Sequence, residues 1–414
     1  MPPARQARSC VIVVENLPVP FDRRVWQEAQ ALHRAGWTVS VICPFNDDFP
    51  KRFEVVDDIA IYRHPLPPEG RGAFAYFREY STALFHEFRL LFKVHRERGF
   101  SIIQACNPPD LIFLAALPFK LMGKRFIYDQ HDVSPELFLV KFGNKGFLYR
   151  GLMFFERMSY VMADFVITAN ATFKEIAITR GGKAPSKVEV VYGVPDRKRI
   201  HRVEPEPGLH GGRKFVLGYL GIINEQDGVD HLVRAVAHLV KVKGFRDFRA
   251  VVVGSGPALE LSCSLACSLE VEDFILFAGY LKGETLLAYL SAFDIGIIPD
   301  PFNEANDLMS MNKVFEYCAL GIPTACYPLK ETQRLLGDAG VYASSHEPAG
   351  LAEACLKLMQ DDGLCAHSAA SAAKLSAQNF VWENEARKFV ATYARVLSPE
   401  AEVDREKAGS PSPG

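Results

Sequence analysis

Two charged residues stand three positions apart in the segment MNKVFEYCALGIPT, residues 311–324. Lys313 and Glu316 fall in the first turn of a helix that is predicted to begin near Asn312, with Ser310 or Asn312 as candidate capping residues. Amides at a helix N-terminus attract phosphate, an ammonium group strengthens that attraction, and a carboxylate accepts hydrogen bonds from vicinal hydroxyls. The pair therefore suits the diphosphate and ribose of a nucleotide. The alternative is an ordinary i,i+3 salt bridge on a solvated helix face.

A glycine loop precedes that helix in the sequence. In GYLGIINEQDGVDHL, residues 218–232, Gly221 directly follows a predicted strand, and the next helix is predicted to start near Gly228. Glycine allows backbone amides to approach a bound group closely, so this loop is a candidate ligand loop, with a plain turn as the alternative. The nearby VVVGSGP lacks the third glycine of a dinucleotide fingerprint, and we predict only a tight turn with peripheral ligand contact there.

Polar residues also follow predicted strands in the first half of the chain. His131 and Asp132, in QHDVSPEL, come after one strand, and Asn107, in CNPPD, comes after another. A histidine at a strand end is more typical of a functional site than of a core. Arg23 and Arg24 stand at a helix start after the first strand, where they either contact a phosphate or face solvent.

Short β-branched runs alternate with longer amphipathic segments along the whole chain. This pattern predicts a parallel sheet covered by helices, and it restarts after a polar segment rich in Pro and Gly. We therefore predict two α/β domains that face a central cleft, with ligands at the carboxyl ends of the strands. The predicted organisation is a first domain over 9–195, a linker over 196–213, a second domain over 214–380, a C-terminal helix over 381–397 that returns to the first domain, and a disordered tail over 398–414.

The composition agrees with two domains and restricts the partners. The chain has 414 residues, a length greater than one ordinary hydrophobic core accommodates. Of these residues, 49% are hydrophobic and 23% are charged. Residues 1–190 carry 25 Lys+Arg and 20 Asp+Glu, whereas the remainder carries 22 and 29. A basic half joined to an acidic half indicates that the first half meets an anionic partner. We predict no nucleic-acid partner, because no basic run is dense enough.

The cysteines and the apolar segments bear on the location of the protein. Nine cysteines form no CxxC pair, so we interpret them as reduced and buried. The first residues lack the apolar core of a signal peptide, and the longest apolar stretch, DLIFLAALPFKLM, is too short to span a bilayer. We therefore expect a cytoplasmic protein, with peripheral contact at the inner face of the plasma membrane as a second expectation.

One segment has the composition of a membrane-contacting surface. Residues 138–160 mix aromatic side chains with Lys141, Lys145, Arg150 and Arg157. Core packing with a solvated edge is the more usual explanation of such a stripe. Contact with anionic lipid is the alternative, and the positive charge of this half favours it.

Taken together, these motifs resemble glycosyltransferase family 4, whose members use nucleotide-sugars and have two Rossmann-like domains (the GT-B arrangement). The resemblance extends from about Cys10 to Arg395 and is most specific in ENLPVPFDRRVWQEAQAL, YDQHDVSPEL, GYLGIINEQDGVDHLVRA and MNKVFEYCALGIPT. The chain is most similar to bacterial enzymes of O-antigen, capsule and exopolysaccharide synthesis. The resemblance implies a retaining transfer from a nucleotide-sugar, with UDP-sugars favoured, to a glycan or lipid-linked acceptor.

The resemblance also implies roles for individual residues. Glu316 matches the second glutamate of the family's Glu-x7-Glu motif and should hold the ribose, while Lys313 should lie by the diphosphate. His131 matches a histidine that touches the transferred sugar. The remaining implied donor contacts are Gly221, Ile222, Ser310, Met311 and Asn312, and the implied acceptor or phosphate contacts are Arg23, Arg24, Asn107 and Asp132.

The chain departs from the family pattern at three positions near the implied donor site. Leu308 stands where the first glutamate of the motif is usual, and Ile222 and Asp227 stand where the donor loop usually has Arg and Lys. Lys313 and one of the arginines at 23 and 24 thereby become the leading cations for the diphosphate. The implied mechanism is departure of the diphosphate from the front face of the sugar, without cofactor or metal. The alternatives are a non-catalytic sugar-nucleotide-binding subunit and a UDP-sugar 2-epimerase.

Overall fold

A computed structural model describes residues 8–65 and 73–397, without the side chains of 73–80. The predicted disordered tail, 398–414, lies outside the described residues. The chain divides into two compact units, one formed by Met1–Tyr192 with Glu383–Gly414 and the other by Gly193–Trp382. Each unit alternates strands and helices around its own sheet, which confirms the predicted α/β class with two Rossmann-like domains.

The first unit contains an eight-stranded sheet with the strand order β3-β4-β2-β1-β5-β6-β7-β8. Its strands are β1 Ser9–Val13, β2 Thr38–Pro44, β3 Phe53–Val56, β4 Ile59–His64, β5 Ile102–Cys106, β6 Arg125–Gln130, β7 Phe165–Thr168 and β8 Val188–Val190. Strands β1, β5 and β7 are buried over their whole length, because helices cover both faces of a parallel sheet.

The edge strand β3 is an exception to the parallel arrangement. It pairs with β4 in the antiparallel sense. Asp57 and Asp58, both with positive φ, form the turn between the two strands, as in a tight hairpin. The prediction of a purely parallel sheet is therefore wrong at this edge.

Among the residues that the structure describes, the first unit contains seven α-helices. They are α1 Arg23–Arg34, α2 Ala73–Glu97, α3 Phe113–Leu121, α4 Ser134–Phe142, α5 Phe147–Met162, α6 Ala171–Thr179 and, from the end of the chain, α14 Trp382–Leu397. The Asp22 side chain accepts a hydrogen bond from Val25 N and so starts α1. Helix α14 contacts this unit through Glu385, whose Oε2 accepts from Tyr192 N at 2.9 Å, and through Tyr393, whose hydroxyl donates to Gln104 Oε1 at 2.5 Å.

The second unit contains a six-stranded, all-parallel sheet with the order β11-β10-β9-β12-β13-β14. Its strands are β9 Phe215–Leu220, β10 Phe248–Val253, β11 Ile275–Gly279, β12 Ile295–Ile298, β13 Thr324–Cys326 and β14 Gly340–Tyr342. Its helices are α7 Val229–Ala237, α8 Leu259–Ser268, α9 Gly283–Ser291, α10 Asn312–Leu320, α11 Lys330–Leu336, α12 Pro348–Gln360 and α13 Asp362–Gln378.

The segment predicted as a linker, 196–213, is packed on the second unit instead. Arg202 Nε donates to Leu320 O at 2.8 Å, and Val203 N donates to Ser291 Oγ at 2.9 Å. These bonds satisfy backbone and side-chain groups that a free linker would leave to water. The segment is therefore a packed part of the surface of the second unit.

The cysteines and helices test two further expectations. All nine cysteines are free, and six of them are buried, but Cys267 is exposed, so the interpretation of uniformly buried thiols is wrong there. None of the described helices combines the length and the apolar character that crossing a membrane requires.

Candidate functional site

Helix α10 begins at the carboxyl edge of the second sheet. Its first residue is Asn312, as predicted, and the preceding Met311 has extended backbone. No side chain caps this end, so the expectation that Ser310 or Asn312 caps the helix is wrong. Met311 is buried and Asn312 is exposed. Because the first-turn amides have no side-chain cap, they suit an anionic ligand.

Lys313 lies in this first turn and contacts a carboxylate from the neighbouring strand end. Its Nζ lies 2.7 Å from Asp300 Oδ2 and 2.9 Å from Asp300 Oδ1, and both residues are buried. The ammonium also lies 5.0 Å from the centroid of the Tyr219 ring. The interpretation of Lys313 as part of a solvated surface pair does not hold, because the side chain is enclosed.

Glu316 lies one turn further along α10 and is 8% exposed. The next residue, Tyr317, fixes the helix to the sheet. Its hydroxyl accepts a hydrogen bond from Leu220 N and donates to Gly218 O, both at 3.1 Å. Sequence reasoning missed this tyrosine, although its place directly after Glu316 on the same short helix was a signal.

Gly221 follows β9 and lies beside Lys313. A Cβ at Gly221 would lie 2.9 Å from Tyr219 Oη and 3.5 Å from Lys313 Cε, so a larger residue would press on both. The GSG segment, residues 254–256, packs against the same loop. A Cβ at Gly254 would lie 1.8 Å from Gly221 O, and one at Gly256 would lie 2.4 Å from Ile223 O. The glycines of GSG therefore allow two strand-end loops to touch.

The rest of the loop shows where the departures from the family pattern lie. Ile222 is 63% exposed. Asp227 Oδ2 accepts a hydrogen bond from Asn224 N at 2.9 Å, which closes a capping box. Burial raises the pKa of Asp227, and the nearby Lys313 charge partly opposes that rise. Asp227 thus stabilises the loop in place of the cation that is usual there.

A buried asparagine joins this loop to the segment before α10. Asn306 Nδ2 donates to Gln226 O and to Pro301 O, both at 2.9 Å. Ser310 and Leu308, in the same segment, are partly buried. Asn306 therefore holds the 301–311 segment against the glycine loop, a role that its position in a polar loop did not reveal.

The first unit gathers a second group of residues at the carboxyl edge of its sheet. Asp129 is the penultimate residue of β6, His131 directly follows the strand, and Arg24 on α1 contacts both. His131 Nε2 lies 2.9 Å from Asp129 Oδ2 and 3.0 Å from Arg24 Nε. Arg24 also donates to Asp129 Oδ1 at 3.2 Å and to Val191 O at 2.9 Å. Arg24 is thus enclosed, while Arg23 is exposed.

Asn107 fixes the backbone of the loop that carries His131. Its Oδ1 accepts hydrogen bonds from His131 N at 2.6 Å and Asp132 N at 3.1 Å. Its Nδ2 donates to Asp132 O and to Asp110 Oδ1, both at 2.9 Å. The structure therefore uses the Asn107 side chain to hold the loop, although the sequence suggested ligand contact.

The charges in this group influence one another strongly. Burial raises the pKa of Asp129, but His131 and Arg24 outweigh it and lower that pKa to about 2. Burial lowers the pKa of His131, and the Asp129 charge outweighs it, so that pKa is raised. Burial and the Asp129 charge raise the pKa of Glu28 to about 8. An ionised Asp129 thus faces the Arg24 guanidinium and the His131 imidazole.

The same group is the one set of potential metal ligands found within 8–65 and 73–397. Ligating atoms of Cys106, Asp129 and His131 lie within 4.8 Å of one another. The Arg24 guanidinium already contacts the Asp129 carboxylate, and burial raises the pKa of the Cys106 thiol well above its usual value. A cysteine binds a metal ion as its thiolate, and a cation beside the ligands repels the metal ion. We therefore interpret this group as an ion-pair and hydrogen-bond cluster around Arg24, not as a metal site.

Comparison with known proteins identifies both halves of the chain. Residues 22–193 match the model of the "Glycosyl transferase 4-like domain", and residues 214–361 match "Glycosyl transferases group 1". The chain is 24% identical over 254 residues to 2-deoxystreptamine glucosyltransferase of Streptomyces kanamyceticus, covering 59% of this chain and 64% of that protein. The chain spans less than two thirds of the length of the curated relatives that it matches first.

Solved structures share the fold at low sequence identity. Sucrose-phosphate synthase from Thermosynechococcus elongatus superposes with a TM-score of 0.76 and 15% identity, over 95% of this chain and all of that one. Anabaena Alr3699/HepE, solved with UDP and glucose, gives a TM-score of 0.70 and 15% identity, over 94% of this chain and 99% of that one. The fold and the two matched domains place the chain in the class of glycosyltransferases with the GT-B fold. Within that class they support membership of family 4.

Proposed function

We propose that the chain is a retaining glycosyltransferase that moves a sugar from a nucleotide-sugar to a glycan or lipid-linked acceptor in cell-surface polysaccharide synthesis. UDP-sugars are the favoured donors. The observation that carries the proposal is the buried pair Lys313 and Glu316 in the first two turns of α10, whose start has no side-chain cap and lies beside Gly221. Phosphate and ribose are the adjacent groups that such a pair fits.

In this proposal the second unit binds the donor. The α10 amides and Lys313 stabilise the leaving diphosphate, and Glu316 accepts hydrogen bonds from the ribose hydroxyls. A bound phosphate would share Lys313 with Asp300, whose carboxylate already contacts Nζ. The UDP bound to Anabaena Alr3699/HepE supports a uridine nucleotide as the first donor class to test.

The chemistry then requires positioning and charge stabilisation more than a nucleophile. The diphosphate departs from the front face of the sugar and takes the acceptor proton, so the sugar keeps its anomeric configuration. His131 contacts the transferred sugar, and Asp132 and Arg23 serve the acceptor or phosphate side. The helix start and Lys313 supply the electrostatic stabilisation, and we propose that no metal or cofactor takes part.

A lipid-linked acceptor requires access to a membrane, and α5 presents a surface suited to one. Phe147, Arg150, Phe154, Arg157 and Val161 recur at spacings of three and four, and all five are exposed. Spacings of three and four place these side chains on one face of the helix. We name these five residues the α5 stripe. The opposite face of α5 packs on the core of the first unit through Tyr160 and the partly buried Phe155 and Met158, so the segment does combine core packing with a solvated edge. The aromatic side chains of the α5 stripe lie on that solvated edge.

The charges around the α5 stripe suit anionic phospholipid. Lys141 and Lys145 are exposed just before the helix. Glu156, the acidic residue of α5, is buried and accepts a hydrogen bond from Arg180 at 2.5 Å, so it does not oppose the cations at the surface. Aromatic side chains with interspersed Lys and Arg are typical of helices that lie in the plane of an anionic membrane surface. We propose peripheral contact with the inner face of the plasma membrane through this stripe.

The donor proposal is tested by thermal unfolding with UDP-, GDP- and dTDP-sugars in EDTA. A rise in melting temperature with one nucleotide class, followed by sugar transfer to a glycan or lipid-linked acceptor, is the expected result. Saturable binding without transfer to any acceptor would indicate a binding subunit instead. Epimerised or hydrolysed donor formed without acceptor would indicate a 2-epimerase. The absence of stabilisation by every nucleotide would overturn the proposal.

A further inference from the structure

Exposed apolar side chains are concentrated on three helices of the first unit. Of the nineteen large apolar side chains that are exposed among the described residues, ten lie on α2, on α3 and its C-cap residue, or on α5. On α2 they are Phe85, Phe88 and Phe92, with exposed fractions of 58%, 37% and 41%. At the end of α3, Leu121 and Met122 are 82% and 52% exposed. Single exposed apolar residues are normal on a protein surface, whereas a contiguous set indicates an interaction site.

The three phenylalanines of α2 lie on one face of the helix. Phe85, Phe88 and Phe92 are separated by three and four positions, a spacing that brings side chains together on a helix surface. The rings of Phe88 and Phe92 are 4.9 Å apart between centroids. Leu91 and Val94, on the same helix, are buried in the core of the first unit. Helix α2 thus has a second apolar face that points away from the core, and we name its three phenylalanines the α2 triad.

Helices α2, α3 and α5 form one layer on the same face of the first sheet. Helix α3 contacts both α2 and α5, and the Phe92 ring lies 4.7 Å from the ring of Phe119 on α3. Side chains of all three helices share one hydrophobic core with strands β1, β5, β6 and β7. The outward sides of the three helices therefore form one surface, which contains the α2 triad, the end of α3 and the α5 stripe. We name this surface the three-helix face.

The exposed charges on the three-helix face are almost all positive. Five basic side chains are exposed on α2 and α5: Arg89, Lys93, Arg96, Arg150 and Arg157. Among the described side chains of the three helices, Glu97 is the one exposed acid, and the acids at 87 and 156 are buried. The face therefore combines apolar side chains with a positive charge that an anionic surface would complement.

We infer that the first unit lies on an anionic phospholipid bilayer through the whole three-helix face, so that α2 and the end of α3 contact lipid together with α5. This inference rests on the proposed function, in which the α5 stripe alone contacts the membrane. Phenylalanine side chains enter the boundary of the acyl chains, while arginine and lysine side chains stay beside the lipid phosphates. A protein partner suits the face less well, because charged residues are depleted from the core of protein interfaces and Arg89 lies among the phenylalanines of α2.

This contact fixes the orientation of the first sheet. Because the three helices form a layer on one face of the sheet, a bilayer against that layer lies parallel to the sheet. The carboxyl edge of the sheet then opens along the membrane, at a height set by the thickness of the helix layer, about 10–12 Å. A lipid-linked acceptor can thus reach this edge while its lipid stays in the bilayer.

Introduced tryptophans test which helices contact lipid. The chain has three native tryptophans, and all of them are buried: Trp26, Trp37 and Trp382. An exposed tryptophan therefore dominates collisional quenching by bromine atoms on the acyl chains of vesicles of phosphatidylglycerol and phosphatidylcholine. We expect quenching of Phe88→Trp on α2, Leu121→Trp on α3 and Phe154→Trp on α5. Phe302→Trp, at an exposed position of the second unit, is the control and should not be quenched.

The outcomes separate this inference from the proposed function. Quenching of Phe154→Trp without quenching of Phe88→Trp and Leu121→Trp would overturn the inference and leave contact through the α5 stripe intact. Quenching at none of the three positions would contradict both. Equal quenching of Phe302→Trp would indicate adsorption without a preferred face and would also overturn the inference.

Removal of aromatic side chains from the α2 triad gives a second measurement. Phe85→Ser with Phe88→Ser keeps every charge and should weaken binding to the same vesicles by about tenfold or more in a sedimentation assay, because less apolar area enters the lipid. Val242→Ser with Leu261→Ser removes side chains that are 67% and 65% exposed on the second unit and should leave binding unchanged. Both double variants should keep the melting temperature of the parent.

Unchanged vesicle binding by the α2 double variant, or an equal loss in the control, would contradict contact of α2 with lipid. The tryptophan substitutions preserve an aromatic or apolar side chain at each position, so the quenching test stands even if the α2 double variant does not fold.

Discussion

Asp300 and Lys313 form a buried ion pair, with Nζ of Lys313 2.7 and 2.9 Å from the two carboxylate oxygens of Asp300. The lysine is the cation proposed to meet the leaving diphosphate, and the aspartate follows the strand next to the glycine loop. Asp300 therefore sets the position of the ammonium before a donor arrives. Its effect on stability and its effect on binding are separable by mutation.

Asp300→Asn should destabilise the chain, because it leaves the Lys313 ammonium enclosed without its counter-charge. Loss of one partner of a buried pair costs about 3–5 kcal/mol, which corresponds to a fall of about 10 °C in Tm for a unit of this size. The double variant Asp300→Asn with Lys313→Met should recover part of that loss. Thermal unfolding followed by circular dichroism measures both changes, and additive losses would show that the pair is not energetically coupled.

Glu316→Ala should weaken nucleotide binding at least tenfold, because two hydrogen bonds from ribose hydroxyls to a carboxylate are lost and each is worth about 1.5–3 kcal/mol. Calorimetric titration with UDP measures the change. Glu284→Ala is the control, since Glu284 also lies near the start of a helix of the second unit, α9, but is exposed. Equal affinity of Glu316→Ala and the parent for UDP would exclude the ribose role.

Gly254→Ala should disturb the glycine loop without touching the donor directly. Its Cβ would lie 1.8 Å from Gly221 O, so the two loops must separate. We expect a lower melting temperature and weaker stabilisation by UDP. Gly283→Ala controls for backbone strain, since Gly283 has φ of +61° and no heavy atom within 4 Å of its Cβ position. Similar losses of UDP binding in both variants would argue against a specific clash.

Local patterns in the sequence predicted the elements that begin at the sites. Helix α10 starts at Asn312 as predicted, and α1 starts at Arg23, at the arginine pair that was predicted to begin a helix. Hydrophobic periodicity and strand ends are local features, and the residues that follow strands lie together once strand order is known. The partners of those residues were not predictable in this way. Asp300 ends the segment FDIGIIPD, residues 293–300, whose pattern predicts a strand. Its contact with Lys313 depends on where α10 packs, which the pattern does not give.

The cluster around His131 shows the same limit more clearly. Arg24, Gln104 and Tyr393 come from α1, β5 and α14, and they meet because β5 lies beside β6 and α14 returns to the first unit. Nothing in the spacing of these residues predicts the contacts, since Gln104 and Tyr393 are 289 positions apart. Long-range contacts of this kind are set by topology, and one sequence carries no direct signal for them.

Glu87, on α2, predicts a pH dependence of stability in the first unit. It is fully buried, its carboxylate oxygens have no hydrogen-bond partner among the described residues, and burial raises its pKa to about 8. The pKa of Glu87 is higher in the folded state than in the unfolded state. Its contribution to stability is therefore fully present at pH values below the unfolded-state pKa and is lost as pH rises toward 8. Relative to that of Glu87→Gln, the free energy of unfolding of the parent should fall by about 1.4 kcal/mol per pH unit between pH 5 and 8.

The measurement is the difference in melting temperature between Glu87→Gln and the parent at pH 5 and at pH 8. The variant should gain on the parent as pH rises, because glutamine is neutral at both pH values. Glu97→Gln, on the same helix but exposed, serves as the control and should show no such gain. A constant difference across this range would mean that Glu87 does not bind its proton in the folded state.

Charge reversal before and within the α5 stripe should weaken binding to anionic vesicles. Changing Lys141, Lys145 and Arg150 to Glu alters the net charge by six units, and each basic residue near an anionic surface contributes about 1 kcal/mol. We expect at least a hundredfold loss of binding to vesicles of phosphatidylglycerol and phosphatidylcholine in a sedimentation assay. The control carries the same charge change at exposed Lys198, Lys282 and Lys374 in the second unit.

A second variant separates the apolar contribution from the electrostatic one. Phe147→Ser with Phe154→Ser leaves every charge in place and removes two aromatic side chains that are 88% and 57% exposed. If the stripe inserts into the interface, this variant binds anionic vesicles less tightly than the parent, and high salt does not abolish the difference, because apolar burial is not screened. If only charge attraction operates, the two proteins bind equally and both are released by salt. Equal binding by the parent and the charge-reversed variant would contradict contact of the α5 stripe with lipid altogether.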